Sequence, residues 1–551
     1  MARRITRTIT QLAIAGIGAF FIVWFLDSRY RVLPARLHNA LPAHHPGMVI
    51  VDISVTKCSS INPLSSCKLN PAVWHRVEKD LYLDHGWVSS AYIHIRRKKE
   101  EELLPEDKVV IDISVGKLVP SSGEKGDDTE KWEPREAGIW VKRSGKAGES
   151  DSDRVITSVD VLFGADAVDP RNGWKVIGTP LLLGSSGEMH EPRLSIRRGN
   201  PPETKKPVLK IRENGKFKIL QVSDLHLSTG TGECRDEEPK GYNNGKCEAD
   251  PRTLEFIERL LDEEDKPDLV ILSGDQVNGE SAPDTQTAIF KYAQPFIERK
   301  IPFATIFGNH DDEGPSLSRK EQMALIESLP YSLSEAGPAD IDGVGNYYIE
   351  ILARGSSGHS AVTIYLLDTH AYSPDKRSYD GYDWIKKTQI EWFRKTAQGL
   401  KKAHAGYSYT HMNLAFIHIP LPEYAIATNS RKGESRERVT APSFNSHFRD
   451  ALVDEGVVMV SCGHDHANEY CALSRHENDL PALWMCYAGG SGFGGYGGYG
   501  GYHRRVRFFE LDMNEGRITT YKRVEYGEIN KRIDEQIIVE GGKPAELVNE
   551  N

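Results

Sequence analysis

The sequence predicts an α/β region over residues 210–530, preceded by a β-rich domain over 47–200 and an N-terminal membrane helix. Three observations predict it: an apolar run near the N-terminus, short alternating strand-like runs up to about residue 194, and a later change to strands interleaved with helical periodicity. At 551 residues, with 39% apolar and 27% charged side chains, the chain is long for one core, so two folded domains with appendages are expected.

Arg3, Arg4 and Arg7 precede an apolar run from Leu12 to Leu26, and Ile9 to Leu26 is 18 residues, the short end of a membrane-spanning helix. No small-x-small cleavage site closes the run, so residues 1–28 read as a cytosolic tip and an uncleaved single-pass signal anchor. Arg29, Arg31 and Arg36 follow it, so the charge balance across the helix leaves its orientation open. The expectation is an endomembrane location with the folded part on the lumenal side. Residues 29–46, rich in proline, histidine and arginine, form a stalk. The seven cysteines include the pairs Cys58/Cys67 and Cys234/Cys247, spaced like loop-closing disulfides; whether they are bonded stays open.

From residue 47 to about 194, strand-like runs begin at Met48, Trp87, Lys108, Gly138, Arg154 and Trp174 and are separated by turn residues. Runs at this spacing predict a β-sandwich. Arg197 to Lys206, with Pro201-Pro202, interrupts the pattern and marks a domain boundary. Beyond it, Lys216–Val222 reads as a buried strand, Arg252–Glu264 as a helix with Leu254, Ile257, Leu260 and Leu261 on one face, and Pro267–Leu272 as a strand. The alternation continues at 301–307, 361–367, 414–417 and 457–461, which is the βαβ pattern of an α/β domain. Residues 531–551 read as a tail.

Five motifs lie at the carboxyl ends of these strands: Asp224-Leu225-His226, Gly274-Asp275, Gly308-Asn309-His310-Asp311, His418 and Gly463-His464-Asp465-His466. Strand ends are where open α/β sheets place ligands. Two carboxylates, an amide and four imidazoles suit two hard or borderline metal ions, and His310 is a spare histidine; a two-metal hydrolase needs this set. The net charge of -10 and the lack of a basic patch beside these motifs argue against a nucleic-acid partner.

In residue type and order the five blocks resemble the calcineurin-like metallophosphoesterases. Gly-Asp-Gln-Val-Asn-Gly, Gly-Asn-His-Asp-Asp-Glu, His-Ile-Pro-Leu-Pro-Glu-Tyr and a Gly-Phe-Gly-Gly-Tyr repeat are similar to the fungal purple-acid-phosphatase-like enzymes known as dose-dependent cell-cycle-regulator phosphatases. The resemblance implies a four-layer metallophosphoesterase sandwich and two metal ions drawn from Fe, Zn or Mn. It implies Asp224, His226 and His466 on the first metal, Asn309, His418 and His464 on the second, and Asp275 bridging. A hydroxide shared by the metals would attack phosphorus, with His310, oriented by Asp311, protonating the leaving group or stabilising the transferring phosphoryl. Two departures matter. Where purple acid phosphatases carry an iron-ligating tyrosine this chain has Asn278, which implies a colourless enzyme. Where Ser/Thr protein phosphatases carry Asp-Arg-Gly it has Val277-Asn278-Gly279.

His370, His411 and Tyr424 are candidate pocket residues, and the glycine- and tyrosine-rich stretch from Gly489 to Tyr502 is placed near the metals by its position after His466. The function expected is hydrolysis of phosphomonoesters, with phosphoserine and phosphothreonine proteins among the candidate substrates. The alternatives are a phosphodiesterase acting on nucleotides or lipid head groups, and a low-turnover membrane-anchored scaffold.

Overall fold

The computed structural model describes residues 48–547 except 60, 63–65, 84–87, 100–101, 121–129, 145–153, 185–189, 315–316, 357, 405–409, 427–430 and 498–500. The expected anchor and stalk lie outside the described residues, and no helix among the described residues is long and apolar enough to cross a membrane. The chain divides into two compact units, one reaching Gly164 and resuming over Asn172–Pro202, the other formed by Ala165–Arg171 and Glu203 onward. The division at Pro202 falls in the polar stretch that the sequence marks as a boundary.

The first unit contains β1 (Met48–Ser59), β2 (Trp74–Arg76), β3 (Ser89–Lys99), β4 (Val109–Val115), β5 (Trp132–Pro134), β6 (Ile139–Ser144), β7 (Ile156–Phe163), β8 (Trp174–Val176) and β9 (Pro192–Arg198). They form three antiparallel sheets, β1-β3-β2, β4-β6-β5 and β7-β9-β8, in place of the expected two-sheet sandwich. The sheets repeat one another. Cross-strand rows run Asp52–Arg96–Trp74, Asp112–Lys142–Trp132 and Ser158–Arg197–Trp174, each beside a register shift in the first strand. Ile50, Ile53 and Val55 enter the core where Val110, Ile113 and Val115, and Ile156, Val159 and Val161, enter it from the other two sheets. A three-stranded sheet buries too little alone, so three copies close on one shared core.

The second unit contains β10 (Lys216–Val222), α1 (Ala249–Leu261), β11 (Leu269–Ser273), α2 (Thr285–Glu298), β12 (Phe303–Ile306), α3 (Arg319–Ser328), β13 (Tyr347–Leu352), β14 (Ser360–Leu366), α4 (Lys387–His404), β15 (Met412–Phe416), β16 (Arg431–Lys432), α5 (Phe448–Asp454), β17 (Val457–Cys462), β18 (Cys471–Arg475), β19 (Pro481–Tyr487), β20 (Arg505–Asp512), β21 (Arg517–Val524), β22 (Ile533–Glu540) and β23 (Lys543–Pro544). Two mixed seven-stranded sheets result, β12-β11-β10-β20-β21-β22-β23 and β13-β14-β15-β17-β19-β18-β16. Phe217, Ile219, Leu269 and Ile271 of the first meet Val362, Ile364, Leu414 and Phe416 of the second in one core between the sheets. Each such side chain contributes about 1.5–3 kcal/mol by burial. Phe393 and Ala397 of α4 and Phe448 of α5 pack on the outer face of the second sheet, and Phe296 of α2 lies against Phe303. The order is helix, sheet, sheet, helix, the α/β layering expected. Strands buried on both faces read as continuous apolar runs, which is why the sequence located them.

The expected tail is corrected. β22 and β23 extend the first sheet, with Ile538 and Val539 fully buried. Disulfides join Cys58 to Cys67, Cys234 to Cys247 and, unforeseen, Cys471 to Cys486 across β18 and β19.

Candidate metal centre

β10, β11 and β12 run parallel, as do β14, β15, β17 and β19, and the five motifs follow the carboxyl ends of β10, β11, β12, β15 and β17. Two buried clusters form there, Asp224 with His226 and His466, and Asp275 with His418 and His464; within each, one ligand atom per residue lies within 4.8 Å of the others. Asp275 Oδ2 is 3.2 Å from His418 Nε2 and 3.7 Å from His226 Nε2, so one carboxylate faces both clusters. His226 and His466 bring their Nε2 atoms to 3.2 Å, and Asp224 Oδ1 is 3.4 Å from His466 Nε2.

The backbone is bent to make these clusters. Asp224, His226, Asp275 and His464 all adopt positive φ, from 50° to 76°, a conformation that costs non-glycine residues about 1–3 kcal/mol each and gathers at functional sites. Gly308 admits the Asp275 carboxylate, which a Cβ there would strike. Asp311 accepts from the N–H groups of Asp275 (2.9 Å), Val277 (2.8 Å) and Gly308 (2.6 Å). It therefore holds the loops that carry Asp275 and Asn309.

Second-layer contacts set which ring nitrogen of each histidine is available. His418 Nδ1 donates to the Ser273 carbonyl at 2.9 Å and His466 Nδ1 to the Tyr496 carbonyl at 2.6 Å, so Nε2 is the atom that faces each cluster and becomes the ligand once deprotonated. The site fits cations on a further count. The Asn309 Oδ1 atom and the His464 Nε2 atom are buried without a hydrogen-bond partner, an arrangement tolerated when a cation satisfies them. Burial pushes His226 down to about 3 and His464 to about 4. At His418 burial also opposes charge, but the Asp275 carboxylate outweighs it and raises the ring to about 9. Burial, then the charge of Asp275, raises Asp311 to about 6.

A metal ligand must be a neutral imidazole, so loading cations into metal-free protein at pH 7.5 is expected to release the His418 proton, and affinity to rise with pH up to about 9. Calorimetry in two buffers of different ionisation enthalpy measures that release; buffer-independent heats would contradict it.

Several expectations change. The His310 ring, 35% exposed and 5.3 Å from the His226 ring, meets Glu313 through Nδ1; Asp311 points back at the backbone and does not orient it. His411 bonds Thr363, Ser360 and Asn413 at the amino end of β15, about 20 Å by strand rise from His418, and so does not line the site. Tyr424 is fully buried, its hydroxyl donating between the carbonyls of Val460 and Cys486; it is core. His370 binds Gln389 at 2.8 Å, beside the Asp368–Arg319 pair, a structural network.

The glycine-rich stretch reaches the first cluster through Gly495 and Tyr496, as its position suggested. Tyr496 stacks on His466 with centroids 3.9 Å apart and planes 7° apart, and its hydroxyl reaches Glu437 at 3.0 Å. A Cβ on Gly495 would lie 2.5 Å from His466 and 2.6 Å from His226, so that residue must be glycine. Tyr496→Ala is expected to weaken first-cluster metal binding by roughly 10- to 100-fold, in the range for groups that orient a ligating histidine, while the second cluster keeps its affinity. Chelator competition at each site checks this.

Residues 217–468 match the calcineurin-like phosphoesterase family. Phosphatase DCR2 of Saccharomyces cerevisiae is 40% identical over 403 residues, 71% of this chain and 68% of its own. An uncharacterized protein of Schizosaccharomyces pombe is 32% identical over 488 residues, 87% of each chain. A protein of Arabidopsis thaliana named "Probable inactive purple acid phosphatase 29" is 35% identical over 61% of this chain and 87% of its own. With these matches and two clusters of candidate metal-binding residues on an α/β scaffold, the chain belongs to the calcineurin-like phosphoesterases.

Proposed function

We propose that this protein is a dinuclear metal-dependent phosphomonoesterase. The single observation that carries the reading is Asp275 facing both clusters while His310 stands partly exposed beside them. Asp224, His226, His466 and Asp275 would hold one cation, and Asn309, His418, His464 and Asp275 the other. Bound there, Fe, Zn or Mn supplies Lewis acidity, drawing charge from phosphoryl oxygens and lowering the pKa of water at the site.

The chain's own residues do the rest. Glu313 engages His310 Nδ1 and leaves Nε2 to give its proton to the departing alkoxide oxygen. Asp311 fixes the loop backbones through three N–H groups, so that Asp275 and Asn309 keep their spacing. Burial of both clusters excludes water that would screen these charges.

Turnover of p-nitrophenyl phosphate against its bis-ester tests the reading. The monoester is expected to be preferred by roughly tenfold or more in kcat/KM, the scale at which a pocket separates related substrates. Preference for the bis-ester would favour the phosphodiesterase alternative, and metal-loaded protein without turnover would favour the scaffold. We also propose that residues 1–28 anchor the enzyme to an endomembrane with the folded units on the lumenal side. The three disulfides support that reading, because such bonds persist in oxidising compartments. Protease protection in sealed microsomes tests it.

A further inference from the structure

Beside the second cluster the chain builds a surface that neither the metal ligands nor the core explains. Tyr382 sets its ring edge-on to metal-cluster His464, 4.4 Å between centroids at 87°. Tyr372 stacks on Tyr382 at 4.9 Å and 20°. Both belong to one hairpin, closed by Ser373 N–H to the Gly381 carbonyl and Asp383 N–H to the Ala371 carbonyl, each 2.9 Å. On the same segment, Trp384 packs on Phe444 at 4.6 Å, and Tyr379 meets both.

Tyr372 is 46% exposed and Phe444 38%. An exposed tyrosine stacked on a second ring that touches a cluster histidine is unusual unless it serves binding. Lys386 sits 3.9 Å over Trp384 and Lys376 5.8 Å over Tyr372, placing positive charge along the same rim.

We propose that this aromatic shelf, Tyr372 with Tyr382, binds the flat aromatic part of the substrate while its phosphate lies at the metal clusters. The proposal rests on the phosphoesterase reading and narrows it to esters that carry a planar ring, an aryl phosphate or a nucleotide. Continuity decides the occupant. The shelf begins at a ring in contact with His464, two ring contacts from Tyr372, so the organic part of one phosphoester spans both. Ring-on-ring stacking tolerates any planar partner.

The test separates binding from turnover. Full-length, metal-quantified protein is titrated with phenylphosphonate and methylphosphonate, which share the phosphonate head and are not hydrolysed as esters. Phenylphosphonate is expected to bind roughly tenfold tighter, the worth of one aromatic stack. Tyr372→Ala should erase most of that preference and Tyr372→Trp should restore it. In parallel, kcat/KM for AMP against ribose 5-phosphate separates the two sources: a Tyr372-dependent preference for AMP points to nucleotides, and its absence beside a phenylphosphonate preference points to aryl phosphates. Equal affinity for the two phosphonates, or a preference that survives Tyr372→Ala, overturns the proposal. If no ester is hydrolysed but the Tyr372-dependent preference holds, the hydrolytic reading fails and the shelf stands. If esters are hydrolysed without that preference, only the shelf fails.

Discussion

Asp275→Asn is expected to empty both metal clusters at once. Its carboxylate reaches toward His226 on one side and His418 on the other. The amide keeps the shape and can still accept the His310 N–H that Asp275 Oδ1 accepts at 2.8 Å, so the loop should fold. What it removes is the negative charge that would hold two cations side by side in the proposed centre. Partners that merely orient a ligand cost 10- to 100-fold in metal affinity; loss of the shared ligand should exceed about 100-fold at each cluster, and turnover should fall with it. Metal analysis after dialysis, with the melting transition as control, reads the result. A variant that loses one cation and keeps the other would show that the carboxylate is not shared.

His310→Ala is expected to act on rate alone. The side chain is 35% exposed and holds Glu313, while none of the cluster atoms depends on it. Metal content and KM should stay near their starting values, and kcat should fall by about 10²- to 10⁴-fold, the usual worth of a positioned proton donor. The loss should be smallest for p-nitrophenyl phosphate, whose leaving group departs as a stable anion, and largest for alkyl phosphates, whose oxygen needs the proton. A uniform loss across leaving groups would remove His310 from the acid role.

The clusters were legible in the sequence because their residues sit at strand ends, and a strand buried on both faces announces itself as an apolar run. The strand ends located Asp224, Asp275, His418 and His464, and the resemblance of the five blocks to a known family assigned them, with Asn309, to metal positions. Where neighbouring residues leave a turn in different directions, sequence spacing was silent. Asp311 turned to the backbone of Asp275 and Glu313 took His310. His411 lies away from the site because it precedes β15 while His418 follows it, at opposite ends of the strand. Tyr496 is separated from His466 by 30 residues and joins it only because glycines let the loop approach, a tertiary fact that composition does not carry. The threefold β unit was present in the sequence, in Val-Asp-Ile-Ser-Val at 51–55 and Ile-Asp-Ile-Ser-Val at 111–115. Its third copy places Ser158 where the others have aspartate, which masks the repeat. The last strands were read as tail because charged residues surround the short apolar run Ile537-Ile538-Val539.

The central claim is that Asp275 joins two metal clusters into one hydrolytic centre. Titrating metal-free protein with a single cation type while following phosphomonoester turnover tests it most directly. Two equivalents per chain are expected, with activity rising mainly as the second is bound and lost on chelation. Full activity at one equivalent, or turnover that survives complete removal of metal, would contradict it.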